Sequence, residues 1–172
     1  MLDAYGMTHP GQVRPTNEDA LYWDAEIGLF VVADGMGGHQ AGEVASHLAI
    51  ETMRTFLDST HGDRDLTWPY GFDRRLSFNG NRLVTAVKLA NHNVYQAGEQ
   101  RQAYAGMGTT IVAAILENGQ LSFCSVGDSR LYLVSPGGFT QLTHDDSWVA
   151  GPCRRSSSVS SAPHSSAARP TT

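Results

Sequence analysis

Cysteine is scarce in this sequence. The 172 residues contain two, Cys124 inside an apolar run and Cys153 in a polar stretch near the C-terminus. Thiols so placed give neither a disulfide framework nor the paired spacing of a zinc site, and they fit a reducing compartment. Net positive charge is lacking as well: 12 Lys and Arg stand against 17 Asp and Glu, a formal charge of −5. No basic field is therefore present to draw in nucleic acid or anionic lipid. No apolar run approaches the roughly 20 residues that span a bilayer. The N-terminal MLDAYGMTHPGQVRP has no basic segment leading into an apolar one, so it does not read as a secretory leader. These absences predict a cytoplasmic protein that binds neither nucleic acid nor membrane. A composition 41% hydrophobic and 17% charged suffices for one domain with a sizeable core.

Within that domain, residues 20–24 (ALYWD) and 29–33 (LFVVA) read as consecutive strands. The second is apolar throughout, which predicts burial on both faces. From Gly42 the period changes. Val44, Ala45, Leu48, Ala49, Met53, Phe56 and Leu57 fall at helical spacing among polar residues. Residues 58–81 are rich in Gly, Asp, Arg and Pro with scattered aromatics, a long ordered loop of unassigned role. Helical spacing returns over 83–96, with Gly98 as the expected stop. Two apolar runs then flank Asn118-Gly119, a dipeptide suited to a type I′ turn between antiparallel strands. RLYLV, SPGG and FTQLT over 130–143 give a further hairpin. The alternation predicts an α+β fold. Cys124 reads as a core residue of its strand, and His47, His92 and His144 receive no role.

The stretch 31–42, VVADGMGGHQAG, ends an apolar run in one acid and follows it with four glycines in eight residues. Nucleotide-binding readings fail at their deciding positions. Gly37 and Gly42 have P-loop spacing, but Glu43 and Val44 stand where the phosphate-binding Lys and the Mg²⁺-binding Ser or Thr belong. Gly35 and Gly37 begin a dinucleotide fingerprint whose third glycine is Gln40. Two readings remain open on this stretch alone. Asp34 is either an oxygen ligand for Mg²⁺ or Mn²⁺, helped by a carbonyl in the glycine turn, or a residue that only caps a turn.

Three more segments bear on the choice: VRPTNEDA over 13–20, GMGTT over 106–110 and VGDSR over 126–130. Together with DGMGGH they resemble the metal-dependent serine/threonine protein phosphatases, the PPM or protein phosphatase 2C family, in their bacterial form, over about residues 1–149. The resemblance implies an α-β-β-α sandwich of two antiparallel sheets flanked by helices, with two Mn²⁺ or Mg²⁺ ions at one end. Asp34 would bridge both metals and the Gly35 carbonyl would bind the second. Glu18 and Asp19 would hold metal-bound waters, Asp128 would serve a third, weaker metal position, and Arg14 would grip the substrate phosphate. His39 lies near the place of a proposed general acid. The resemblance implies hydrolysis of phosphoserine and phosphothreonine in proteins, with a cognate serine/threonine kinase as a further partner.

The resemblance stops at Gly151. Residues 150–172 are dominated by Ser, Ala, Pro and Arg, a composition expected to be disordered. No Asp or Glu follows Asp146, whereas family members continue and supply two more metal-binding aspartates. The expectation is a fold incomplete at its C-terminal end and an impaired hydrolase, through a frame change, a natural short form or a fragment completed by another polypeptide. The alternative is a catalytically inactive phosphoprotein-binding module.

Overall fold

The computed structural model describes residues 2–38, 40–63 and 65–146, and the backbone of 158–160. Two strands open the fold, β1 (Asp19–Asp24) and β2 (Leu29–Met36). Two long helices follow, α1 (Ala41–Ser59) and α2 (Phe78–Gln100). Then come β3 (Gly108–Thr109), β4 (Ile111–Glu117), β5 (Gln120–Val126), β6 (Tyr132–Ser135), β7 (Gly138–Gln141) and β8 (Ser158–Ser160). The larger sheet runs β1-β2-β4-β5-β8, with β3 also on β2, and β6 and β7 form a separate hairpin; every pairing is antiparallel. This is the α+β layering expected. β8 falls inside the segment expected to be disordered; Cys153 and the rest of that segment lie outside the described residues.

One face of the larger sheet packs on both helices. Leu29, Val31 and Ala33 of β2 and Ile111, Ala113 and Ile115 of β4 meet Ala45, Ala49, Met53 and Leu57 of α1 and Leu83, Ala86, Ala90 and Val94 of α2. The three- and four-residue spacing on the helices is what lines up one apolar stripe against a flat surface. Cys124 belongs to the same core. Contrary to the sequence expectation, β2 is not buried on both faces: its burial alternates, and Val32 is 50% exposed. The cause is that both helices lie on one side. On the other, residues 3–8 cross Leu21 and Trp23 and leave a cleft of about 610 Å³ that reaches Asp19 and Asp34.

Boundaries moved for local reasons. Strand β2 runs on through Asp34 to Met36, because Gly35 and Met36 pair with Thr109 and Gly108. The second helix begins at Phe78, five residues before its apolar period, because Ser77 caps it by accepting the Gly80 N–H at 2.9 Å. Gly98 does not stop it; the helix runs to Gln100. The turn Asn118-Gly119 does have positive φ at both residues, 51° and 74°. In the connecting loop, Trp68 packs edge-on against Phe72 and Phe78.

A buried arginine ties the helices together. Arg82 is 2% exposed, and burial lowers its pKa from the ordinary arginine value. Its guanidinium donates to the Leu57 carbonyl, to Thr60 Oγ1 at 3.2 Å and to Asn79 Oδ1 at 2.9 Å. It thereby satisfies a carbonyl that the end of α1 leaves without an intrahelical partner. Replacing Arg82 with Met keeps the stem and removes the donors. We expect Arg82→Met to lower the unfolding free energy in urea by about 2–3 kcal/mol. Arg54→Met, which removes surface pairs with Glu51 and Asp58, should cost under about 1 kcal/mol. Equal costs at the two positions would contradict the role given to Arg82.

Candidate active site

The register of the first hairpin sets the site. Asp19, first residue of β1, stands directly opposite Asp34 on β2, so the two side chains share a face of the sheet. The Asp34 carboxyl is held above its ordinary pKa, first by burial, then by the charge and hydrogen bonding of Asp19. Arg14 pulls the other way, and Asp128 adds to the rise. Facing carboxyls favour a shared proton or a bound cation. Asp34 lies within strand β2, not in a turn, and faces another acid.

Strand β2 is clamped around this acid. The Asp34 N–H donates to Thr110 Oγ1 at 3.1 Å, while its carbonyl accepts from the Thr110 N–H at 2.8 Å and the Thr109 hydroxyl at 3.0 Å. The Thr110 hydroxyl also meets that of Ser129 at 2.6 Å, next to Asp128 in the turn after β5. Segments GMGTT and VGDSR thus form one layer supporting Asp34 and Asp128. The sequence pattern gives Thr109, Thr110 and Ser129 no task. The only clue was a polar Thr-Thr pair at the head of an otherwise apolar strand.

The glycines have a packing purpose. A Cβ on Gly35 would lie 2.0 Å from the Gly42 carbonyl oxygen and 2.7 Å from that of Glu18. Only a residue without a side chain lets β2 meet the first turn of α1 this closely. The Glu18 carbonyl accepts the Gly35 N–H at 3.1 Å. Its carboxylate reaches the start of α1, 2.6 Å from where a Gly42 Cβ would sit, a position favoured by the helix dipole. Arg14 pairs with Glu18 at 3.2 Å, the arginine side chain 64% exposed and the acid 13%. Asn17 accepts the Asp19 N–H at 3.1 Å and donates to the Thr8 hydroxyl at 2.8 Å, anchoring the segment that crosses β1.

Arg14, Glu18, Asp19, Asp34, Gly35 and Asp128 therefore gather at one end of the sheet; His39 lies outside the described residues. The donors are hard oxygens of the kind Mg²⁺ and Mn²⁺ take. Yet among the described residues no group of three or more His, Cys, Asp or Glu converges to hold an ion. The donor set fits such an ion in kind and falls short of a full shell in number. Adding a methyl at Gly35 tests the packing beneath it. Gly35→Ala should cost at least about 1–3 kcal/mol through overpacking against backbone that has nowhere to move. Gly38→Ala, where nothing lies within 4 Å of an added Cβ, should leave the melting temperature within a degree or two. Similar melting temperatures for the two variants would exclude the close approach.

Comparison with known proteins identifies the family. The family model described as Protein phosphatase 2C matches residues 9–151. Serine/threonine protein phosphatase PstP of Mycobacterium tuberculosis is 37% identical over 139 residues, covering 81% of this chain and 24% of that protein. A putative protein phosphatase 2C-type of Streptococcus pyogenes is 35% identical over 145 residues, covering 83% of this chain and 54% of that protein. Among solved structures, the catalytic domain of PstP in complex with two manganese ions superposes with a TM-score of 0.65 at 36% identity, over 83% of this chain and 55% of that one. The chain thus spans about half of that catalytic domain and of the streptococcal relative. A sheet end gathering acids and an arginine, in a sequence matched over most of its length, leads to one conclusion: the chain belongs to the protein phosphatase 2C family.

Proposed function

We propose that this chain carries the phosphate-binding and part of the metal-binding apparatus of a phosphatase that hydrolyses phosphoserine and phosphothreonine in proteins. The observation that carries the reading is the pairing of Asp19 with Asp34 across β1 and β2, with Arg14 and Asp128 close enough to shift the Asp34 carboxyl. Asp34, the Gly35 carbonyl and, through waters, Glu18 and Asp19 would hold Mn²⁺ or Mg²⁺, with Asp128 at a third position. When bound, such ions supply an activated water and neutralise charge on the phosphoryl oxygens. Arg14 orients the substrate, its planar fork donating two parallel hydrogen bonds to a phosphate. Thr109 and Thr110 hold the Asp34 backbone still, so that the acid stays aimed. His39 as a general acid belongs to this reading on resemblance alone.

Partners in this reading are phosphorylated proteins and a cognate serine/threonine kinase. A cytoplasmic location is part of it, supported by the sparse cysteines and by the lack, among the described residues, of a helix long and apolar enough to cross a membrane. Residues 1–149 form the phosphatase-like unit in the same proposal. A second reading, a phosphoprotein-binding module without turnover, is favoured by one observation: fewer than three metal-ligating side chains converge among the described residues.

Calorimetry with Mn²⁺ tests the site. Weak binding is expected, lost in Asp34→Asn; unchanged binding in that variant would remove the metal assignment. Arg14→Ala should weaken phosphopeptide binding roughly ten- to hundredfold, the equivalent of about 1.5–3 kcal/mol for bonds to a charged group. Little turnover of p-nitrophenyl phosphate is expected from the 172-residue chain. Fusing residues 1–150 to the C-terminal part of an intact relative should raise it in an Asp34-dependent way. Phosphopeptide binding that depends on Arg14, with no turnover even in the fusion, would favour the binding module.

A further inference from the structure

A second cleft, of about 690 Å³, lies on the helix side of the sheet, within the size range of ligand-binding sites. Its floor is apolar: Val84 and Val87 of α2, with Met107 and Ile111 from the β3 and β4 side. Along its rim stand Tyr95, 64% exposed, and Lys88, whose ammonium sits 5.4 Å from the centre of the Tyr70 ring. Val84, Val87, Lys88, Asn91 and Tyr95 form one stripe at spacings of three and four along α2. The stripe borders the core, against which Val87 packs, and its outer residues Lys88, Asn91 and Tyr95 are exposed.

Two properties of the cleft indicate its occupant. The first is charge: among the described residues no Asp or Glu lines it, although the chain carries a formal charge of −5, and Lys88 is the lining residue with a fixed positive charge. Such a cleft favours an anionic segment with apolar side chains over a neutral or basic one. The second is continuity. One end is walled by Met36, Gly108 and Thr109, and Thr109 is the residue whose hydroxyl donates to the Asp34 carbonyl and whose backbone pairs with Gly35. Thr109 thus joins the cleft to the backbone of Asp34, whose side chain lies on the other face of the sheet.

We propose that this cleft seats the polypeptide flanking the phosphorylated residue, an apolar side chain against Val84, Val87 and Met107 and a carboxylate at Lys88. This rests on the phosphate-binding reading above and adds to it a preference for acidic, apolar flanks. The shared stripe on α2 makes Lys88 and Tyr95 specificity residues that do not touch the phosphate.

Fluorescence anisotropy with the 172-residue chain separates the two claims. The probes are phosphothreonine peptides carrying Leu-Asp-Asp on one side or the other, matching peptides with Gly-Ser-Gly, and unphosphorylated versions of each. A Leu-Asp-Asp flank on one side should tighten binding about tenfold, with or without phosphate. Lys88→Glu, at an exposed position, should abolish that gain and confer a preference for Leu-Lys-Lys; Tyr95→Ser should reduce the gain without reversing its charge preference. Equal affinity for Leu-Asp-Asp and Gly-Ser-Gly flanks on both sides would overturn the proposal. So would a concentration-dependent dimer in sedimentation that Lys88→Glu dissolves, since a second copy would then occupy the cleft. A flank preference with no effect of phosphate would leave the cleft standing and remove the phosphate-binding reading.

Discussion

Gly35 and Gly42 meet where no side chain fits, and much of the site depends on that contact. A Cβ on the first would sit 2.0 Å from the carbonyl oxygen of the second. Because the strand can abut the helix, α1 starts directly beneath β2. The first turn of α1 then lies close enough to receive the Glu18 carboxylate, and Glu18 in turn holds Arg14 at 3.2 Å. Each of these placements follows from the one before it. Widening the strand–helix gap by a methyl group would shift the acid at the helix end and, through it, the arginine.

Hydrogen bonding completes what packing begins. Asp34 bonds through both its N–H and its carbonyl to Thr109 and Thr110, so the strand cannot slide without breaking bonds on the side away from β1. Asp19 approaches from β1 at a register fixed along six residue pairs. A one-residue slip would turn every alternate side chain to the wrong face, sending Leu29, Val31 and Ala33 out of the core and Asp34 into it. The hydrophobic pattern of β2 thus aims the acid, and the cost of burying a carboxylate enforces the aim.

Strand and helix identity were legible because period and turn chemistry agreed. Asn118-Gly119 announced its hairpin, and Ala45, Ala49, Met53 and Leu57 announced the buried stripe of α1. Signals carried by a single polar atom were not legible: the Ser77 cap added a polar first turn to α2 that no apolar period marks, and nothing in the sequence pattern singles out Arg82 as buried. The open face of β2 escaped because an unbroken apolar run looks the same whether one side or both are covered. At the site, motif resemblance named Arg14, Glu18, Asp19, Asp34 and Asp128, and the structure brings them to one end of the sheet. Thr109, Thr110 and Ser129 stayed unassigned because hydroxyls that brace a backbone leave no pattern in sequence.

The order of strands in the sheet also has a kinetic side. The β1–β2 and β4–β5 pairs are closed by short turns and need little loop entropy to form. The β2–β4 pair brackets both helices, and its closure cost is offset only once α1 and α2 are packed together. The helical pair, pinned by Arg82, therefore serves as the spacer that brings two ready-made hairpins side by side. Asp34 and Thr110 come from opposite sides of that junction, so their clamp cannot form before this non-local pairing does.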